Sequence, residues 1–346
     1  MKNFFFILCF IIIGQSLNAQ LYPIKINNDW GYIDTTGKIA IEPAFKWAGF
    51  FIDGLAFVSS GKQFGFIDET GKLVIKEQFA NVSNFSEGYA SFLEDEDWGV
   101  INTKGEIVIE PRFAAPLIFH DGLAKFKLER GLFSTYGFVN AKGDTAIYPR
   151  YEKLSEFSNG VCMASEDGSK YGYINTQGEW VIPATMDIGV MMKINGEYDF
   201  SDKDFSNGFI AVSKNDKYGL MDINGKMVLD YKFDFIGKYS EGLAPAKKDS
   251  LYGYIDQRGN WVIKPIYNGA EMFRNGLAAV SKGPYLSEQW GFVDHSGKVV
   301  IPLNIYGNFN PYKPMEFFKG AVACYITEGV FGYINRARAW LQKKFI

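Results

Sequence analysis

The stretch DWGYIDTTGKIAIEPAF, Asp29 to Phe45, decides the fold because the chain writes it again and again. Thirty-four residues later it reads QFGFIDETGKLVIKEQF, and after thirty-four more DWGVINTKGEIVIEPRF. Each copy opens on an aromatic residue followed by Gly. Aligned on that pair, the glycines are Gly31, Gly65, Gly99, Gly137, Gly172, Gly219, Gly253, Gly291 and Gly332, separated by steps of 34, 34, 38, 35, 47, 34, 38 and 41. A period in the thirties marks a tandem array in which each unit packs only on its neighbours.

Three short apolar runs fill each unit: WGYID, then IAIEP, then, after a Gly, LAFV. Their length and their β-branched and aromatic content predict strands. The first two runs are apolar on both pleat faces, which predicts burial on both sides. The breaks have mechanisms. Asp34 or its counterpart opens a turn that closes on Gly37 three residues later in eight of nine units, as a type I hairpin turn requires. DG and NG pairs before the third run predict tight turns with positive φ. Pro43, Pro111, Pro149, Pro183, Pro265 and Pro302 are expected to end the second strand by withholding a ladder donor. The Gly of the aromatic-Gly pair is expected to let a ring or a neighbouring backbone come close.

These readings define the expected fold: an all-β tandem array of about nine three-stranded antiparallel units, the last incomplete. An open superhelix is the first expectation and a closed, propeller-like ring the alternative. The array is placed at residues 20–335 and an irregular C-terminal tail at 336–346, where RARAWLQKKFI lacks the second-strand pattern. Residues 1–19 read as a secretory signal peptide. Lys2 precedes the apolar run Phe4 to Ile13, which is too short to span a bilayer, and SLNAQ offers cleavage after Ala19.

The aromatic-Gly pair and its periodicity resemble the WG-repeat family of bacterial proteins. The resemblance runs from about Trp30 to Asn335, although only three of the nine pairs are Trp-Gly. It implies a non-enzymatic array, often exported, with an interaction role and no catalytic residues to transfer. The expected location is the periplasm, the cell surface or the medium.

The residues themselves agree about catalysis. The turn position holds Asp34, Asp68, Asp222, Asp256 and Asp294, but Asn102, Asn140, Asn175 and Asn335. A metal ligand or general base would not exchange with Asn, whereas a turn-capping oxygen would. His120 and His295 occupy different, variable positions, and no His/Cys set has metal-ligand spacing. No cofactor motif appears, and 36 basic against 39 acidic residues leave no nucleic-acid footprint. Cys162 fills the slot of Ala56, Ala90 and Ala244, and Cys324 is aligned with Val58 and Val280. In a stacked array units four and eight are distant, which predicts two free thiols.

Function is therefore sought where the period breaks. Insertions lie at Thr185 to Asp204 and Asn304 to Phe317, and insertions in arrays map to loops on the binding face. The candidate binding residues are Met191, Met192, Tyr198, Phe200 and Tyr312. Trp47, Tyr285 and Phe309 are further aromatics outside the repeat pattern. The expected function is an exported, non-catalytic binding or scaffold protein acting through protein–protein contact at the bacterial envelope. The alternative is a carbohydrate-binding module using exposed aromatics, so the partner is an unknown protein or glycan.

Overall fold

The structure is a computed structural model that describes residues 20–130, 133–186, 193–194, 197–198, 205–284, 288–306, 317–318, 322–327, 330–334 and 340–345. The signal-peptide reading of 1–19 lies outside them, as do Met191, Met192, Phe200, Tyr285, Phe309 and Tyr312. Among the described residues all regular structure is β. Nine antiparallel sheets of three or four strands follow one another along the chain, each a meander with its strands in sequence order, and none of them closes into a barrel. The first comprises Tyr22–Ile26, Asp29–Ile33 and Ile39–Phe45; the second Trp47–Ala48, Leu55–Ser59, Phe64–Asp68 and Leu73–Phe79. The others span 81–113, 119–151, 153–186, 209–233, 235–267, 269–306 and 317–345.

The three expected strands are present, but a sheet starts at the third. Leu55–Ser59 pairs with Phe64–Asp68, the aromatic-Gly strand that follows it. The reason is connection length. The third strand reaches the next aromatic-Gly strand through a tight hairpin, in places two residues long, as at Asp95–Glu96 with φ of 46° and 81°. Most sheets also gain a two-residue strand ahead of the third. It leads into the DG or NG turn, where Asp53 and Gly54 have φ of 53° and 78° and Ile52 and Leu55 exchange N–H···O bonds of 3.0 and 3.1 Å.

The prolines do not end the second strand. Ile39–Phe45 contains Pro43 and continues two residues beyond it. Trp30 pairs with Phe45 and Tyr32 with Ile41, so the three residues from Glu42 to Ala44 stand opposite the single Gly31. The strand arches there, and the arch repeats through the first eight sheets. Proline fits because this is an edge strand, where a missing donor disrupts no further ladder and discourages pairing with other chains. The arch also explains the glycine. A Cβ on Gly31 would lie 2.5 Å from the Ile41 carbonyl oxygen and 2.6 Å from the Pro43 nitrogen, so neighbouring backbone, not a ring, excludes a side chain at this position.

The core lies between sheets. Leu55, Phe66, Ile75 and Phe79 of the second sheet pack on Phe85, Ala90, Phe92 and Ile101 of the third. The same arrangement joins each neighbouring pair from the first sheet to the eighth. Stacking thus supplies the apolar burial that a lone three- or four-stranded sheet lacks.

The C-terminal segment departs from expectation. Trp340–Phe345 is a strand paired with Val330–Ile334, so the 336–346 segment is not irregular throughout. Gly332 faces Lys343 in unbroken register with Phe331↔Lys344 and Tyr333↔Gln342. Without the arch, the last strand pairs directly across its glycine. Cys324 pairs with Tyr333, whereas Val58 pairs with Gly65 and Val280 with Gly291. It therefore corresponds to Phe57 and Ala279, one step from its assigned slot, and a one-residue step exchanges the faces of a strand.

Candidate functional site

The Asp/Asn position is structural in atomic detail. Asp34 Oδ1 accepts from the Thr36 amide at 2.8 Å and the Lys38 amide at 3.1 Å. Asn102 Oδ1 does the same with Lys104 at 3.0 Å and Glu106 at 3.1 Å. One side-chain oxygen is what the turn uses, and where the residue is Asn its amide also donates to an acidic residue four positions on, as Asn102 does to Glu106 at 2.7 Å and Asn175 to Glu179 at 3.0 Å. Where it is Asp, hydrogen bonding favours the anion. The Thr70 hydroxyl, with the amides of Lys72 and Thr70, holds Asp68 below the ordinary carboxylate range.

A second series of polar groups links neighbouring sheets through the tight turns. Asp53 Oδ2 accepts from the Gly88 amide at 2.8 Å. Glu87 accepts from the Asp121 and Gly122 amides, one on each carboxylate oxygen, both at 2.8 Å. Asp121 accepts from Gly160, again at 2.8 Å. Asn159 and Asn207 donate to the Phe205 and Tyr239 carbonyls at 2.8 and 3.1 Å, and Glu241 accepts from Gly276 at 2.8 Å. Six successive junctions, from the second sheet to the eighth, are tied in this way. Reading DG and NG as turn signals missed this second use. The visible signal is that the residue before each of these turn glycines, from Gly54 to Gly276, is Asp, Glu or Asn, although only Asn and Asp tolerate positive φ readily.

His295, at its variable turn position, makes two specific contacts. Its ring stacks on Phe273 at 4.2 Å and 15°, and its Nε2 lies 3.2 Å from the Glu241 carboxylate. Cys162 is buried, in the slot shared with Ala56, Ala90 and Ala244 opposite an Ile. Among the described residues, no group of three His, Cys, Asp or Glu could hold a metal ion. No helix there is long and apolar enough to cross a membrane.

Of the candidate binding residues, Tyr198 is described. Glu197–Tyr198 pairs with Lys193–Ile194 as a small hairpin between the fifth and sixth sheets. Thr185 and Met186, counted with the insertion, belong to the strand Trp180–Met186. Trp47, on a two-residue strand, is 58% exposed. Most repeated aromatics are core: Phe66 packs on Phe85 with centroids 4.8 Å apart and Phe138 on Phe157 at 4.5 Å.

With this geometry established, nine stretches match the model of the WG containing repeat: 30–62, 64–96, 98–130, 136–169, 171–185, 192–218, 218–252, 252–283 and 290–313. The chain belongs to the WG-repeat family. One of the WG-repeat matches, 192–218, covers part of the first insertion, and the unit of Phe331 and Gly332 lies beyond the matched residues. No curated protein matches the sequence. Among solved structures, the WG-repeat chain is similar to one described as the eukaryotic initiation factor, with TM-score 0.62 and 13% identity over 95% of this chain and 96% of that one. A second is BamB from Moraxella catarrhalis, with TM-score 0.34 and 9% identity over 92% and 94%. At these identities the first likeness concerns the fold alone.

Proposed function

We propose that this WG-repeat chain is an exported, non-catalytic binding or scaffold protein whose partner is a protein of the bacterial envelope. One observation supports the reading most: the polar groups that recur from unit to unit are committed to backbone. The turn Asp and Asn oxygens accept turn amides, and the carboxylates before the turn glycines accept amides of the next sheet. A catalytic carboxylate is aimed at substrate, whereas each of these is turned onto backbone amides. The repeats act as a rigid frame, and recognition falls to segments the frame does not need. Of these, the 187–204 insertion, with Met191, Met192, Tyr198 and Phe200, offers adaptable apolar contact, and Tyr312 belongs to the second.

The test has two parts. Expression with the native N-terminus should deliver a product beginning at Gln20 outside the cytoplasm, and retention of residues 1–19 on a cytoplasmic product would refute export. The mature protein, and a variant lacking Met191 to Phe200 bridged by a short linker, should then be compared as baits in an envelope extract. Capture of a protein by the first and not by the second is expected. Equal capture would move the site to the repeated surface or to the second insertion. Binding on a glycan array that is lost in Trp47→Ala would favour the carbohydrate reading, since Trp47 is an exposed ring of the type that stacks on sugars.

A further inference from the structure

Each interface from the first sheet to the eighth joins the trailing face of one sheet to the leading face of the next. In the third sheet the leading face carries Ala90, Phe92 and Ile101, with Ala90 opposite Ile101 and Phe92 opposite Gly99. The corresponding residues of the first sheet follow from register. Tyr22 pairs with Ile33 and Ile24 with Gly31, so Tyr22, Ile24 and Ile33 form its leading face. Among the described residues no sheet precedes it. Yet these three residues are 0%, 2% and 0% exposed. Its trailing face, with Leu21 and Tyr32, is already used against Ala56, Val58 and Ile67 of the second sheet. At the other end, Leu277, Phe292 and Ile301 on the trailing face of the eighth sheet are 2%, 0% and 3% exposed.

We propose that the leading face of the first sheet is an interaction surface for the chain's own ninth sheet, which thereby closes the nine sheets into a ring. The ninth sheet has the required form. It follows the eighth directly and has four strands in the common order. Trp340–Phe345 completes it, taking the edge position that the arched strand holds elsewhere. Residues 1–19 are the rival cover. A chain cleaved after Ala19 would lose that cover and expose a Tyr and two Ile on one face, a patch that folded proteins bury or use. Ring closure removes the solvent-facing ends that open arrays must cap with polar repeats.

Lysines at the two ends make the proposal testable in the intact mature chain, residues 20–346. Lys25 lies in the first strand of the first sheet, and Lys343 and Lys344 in the last strand of the ninth. Sheets stacked face to face are about 10 Å apart, so eight intervals in an open stack separate them by roughly 80 Å. A short lysine-reactive crosslinker applied to monomer should join Lys25 to Lys343 or Lys344. Absence of this link under conditions that crosslink neighbouring sheets would overturn closure. So would links found only between isotopically mixed chains, which would identify a second copy as the cover. Hydrogen exchange supplies an independent readout. Amides of Tyr22–Ile26 and Asp29–Ile33 should be as protected in the mature chain as in the precursor, and protection present only in the precursor would assign the face to residues 1–19. Truncation after Asn335 should accelerate exchange in Tyr22–Ile26 while leaving Val161–Ser165 protected. Unchanged exchange at both would count against the ninth sheet. If the truncated chain does not fold, the crosslink in the intact protein decides.

Discussion

Three residues apart in every unit lie two positions that obey opposite rules. The glycine of the aromatic-Gly pair never varies, while the turn residue after it alternates between Asp and Asn. At Gly137 the neighbour is backbone. An added Cβ would meet the Ile147 carbonyl oxygen, with the Pro149 nitrogen at 2.8 Å and its Cα at 3.0 Å. At Asp256 or Asn175 the neighbours are two amide hydrogens that ask for one side-chain oxygen. Backbone cannot move aside without dismantling the arch, whereas a lone pair can come from either side chain. Invariance within a repeat therefore marks a geometric demand and does not by itself indicate function.

The strongest way to break this comparison is to put a side chain on the glycine. Gly137→Val should destabilise the mature protein by about 1–3 kcal/mol through forced overpacking, read as a lower denaturant midpoint. Gly332→Val makes the contrast within one chain. There the ladder runs straight across the glycine to Lys343, so the loss should be smaller. Equal losses at the two sites would mean that the arch is not what excludes a side chain.

Much of this was legible because local chemistry repeats. The strands, the turn glycines and the Asp/Asn exchange follow from residues close in sequence, and nine copies supply their own controls. The positive φ expected at the DG and NG pairs appears at Asp53, Asp121, Asn159, Asn207 and Asn275. Three features were hidden because they depend on pairing across longer distances. Pro43 signals a missing donor but not that its strand is an edge, so arching could not be told from ending. The third strand reads as the close of a unit until the short hairpin to the next pair is weighed. The tail Trp340–Phe345 lacks the repeat pattern and is recruited by the free side of Val330–Ile334. The candidate binding residues were found by elimination, as departures from the period. Such an argument locates a segment without supplying its geometry.

Between the rigid glycine and the tolerant turn lies an intermediate case, the clasp of one sheet on the next. Glu87 bonds two amides of the following turn. Glu87→Ala should cost about 1 kcal/mol, less than a buried charge-assisted pair because the carboxylate is open to water. Glu87→Gln keeps one acceptor and should lose about half as much. If alanine and glutamine cost the same, charge would matter more than acceptor geometry, and the clasp would resemble a salt-sensitive surface interaction. Native-state exchange at Gly122, whose amide the clasp holds, is the local readout; it should quicken in the alanine variant ahead of any global change.

The smallest effect is the most informative about the turn. Burial raises the Asp256 carboxyl, but the bonds from Asn260 and Arg258, with the Arg258 charge, outweigh it and hold the group below its ordinary value. A folded-state value below the unfolded one stabilises the protein above the unfolded carboxylate range near 4. That contribution is lost as pH falls through the folded value. Asp256→Asn removes the ionisation and keeps the oxygen. At neutral pH the variant should be slightly less stable than the parent, by a few tenths of a kcal/mol at most for a site this open to water. As pH falls below 4 the two midpoints should converge, because the parent's carboxyl is then protonated and the amide of the variant does not change. Asn175→Asp should instead lose stability at neutral pH, because the Asn175 amide donates to Glu179 at 3.0 Å and a carboxylate there would face another; that loss should shrink in acid. A deficit in Asp256→Asn as large at pH 3 as at pH 7 would mean that the amide fails to cap the turn. The exchange of Asp and Asn among the repeats would then need another cause.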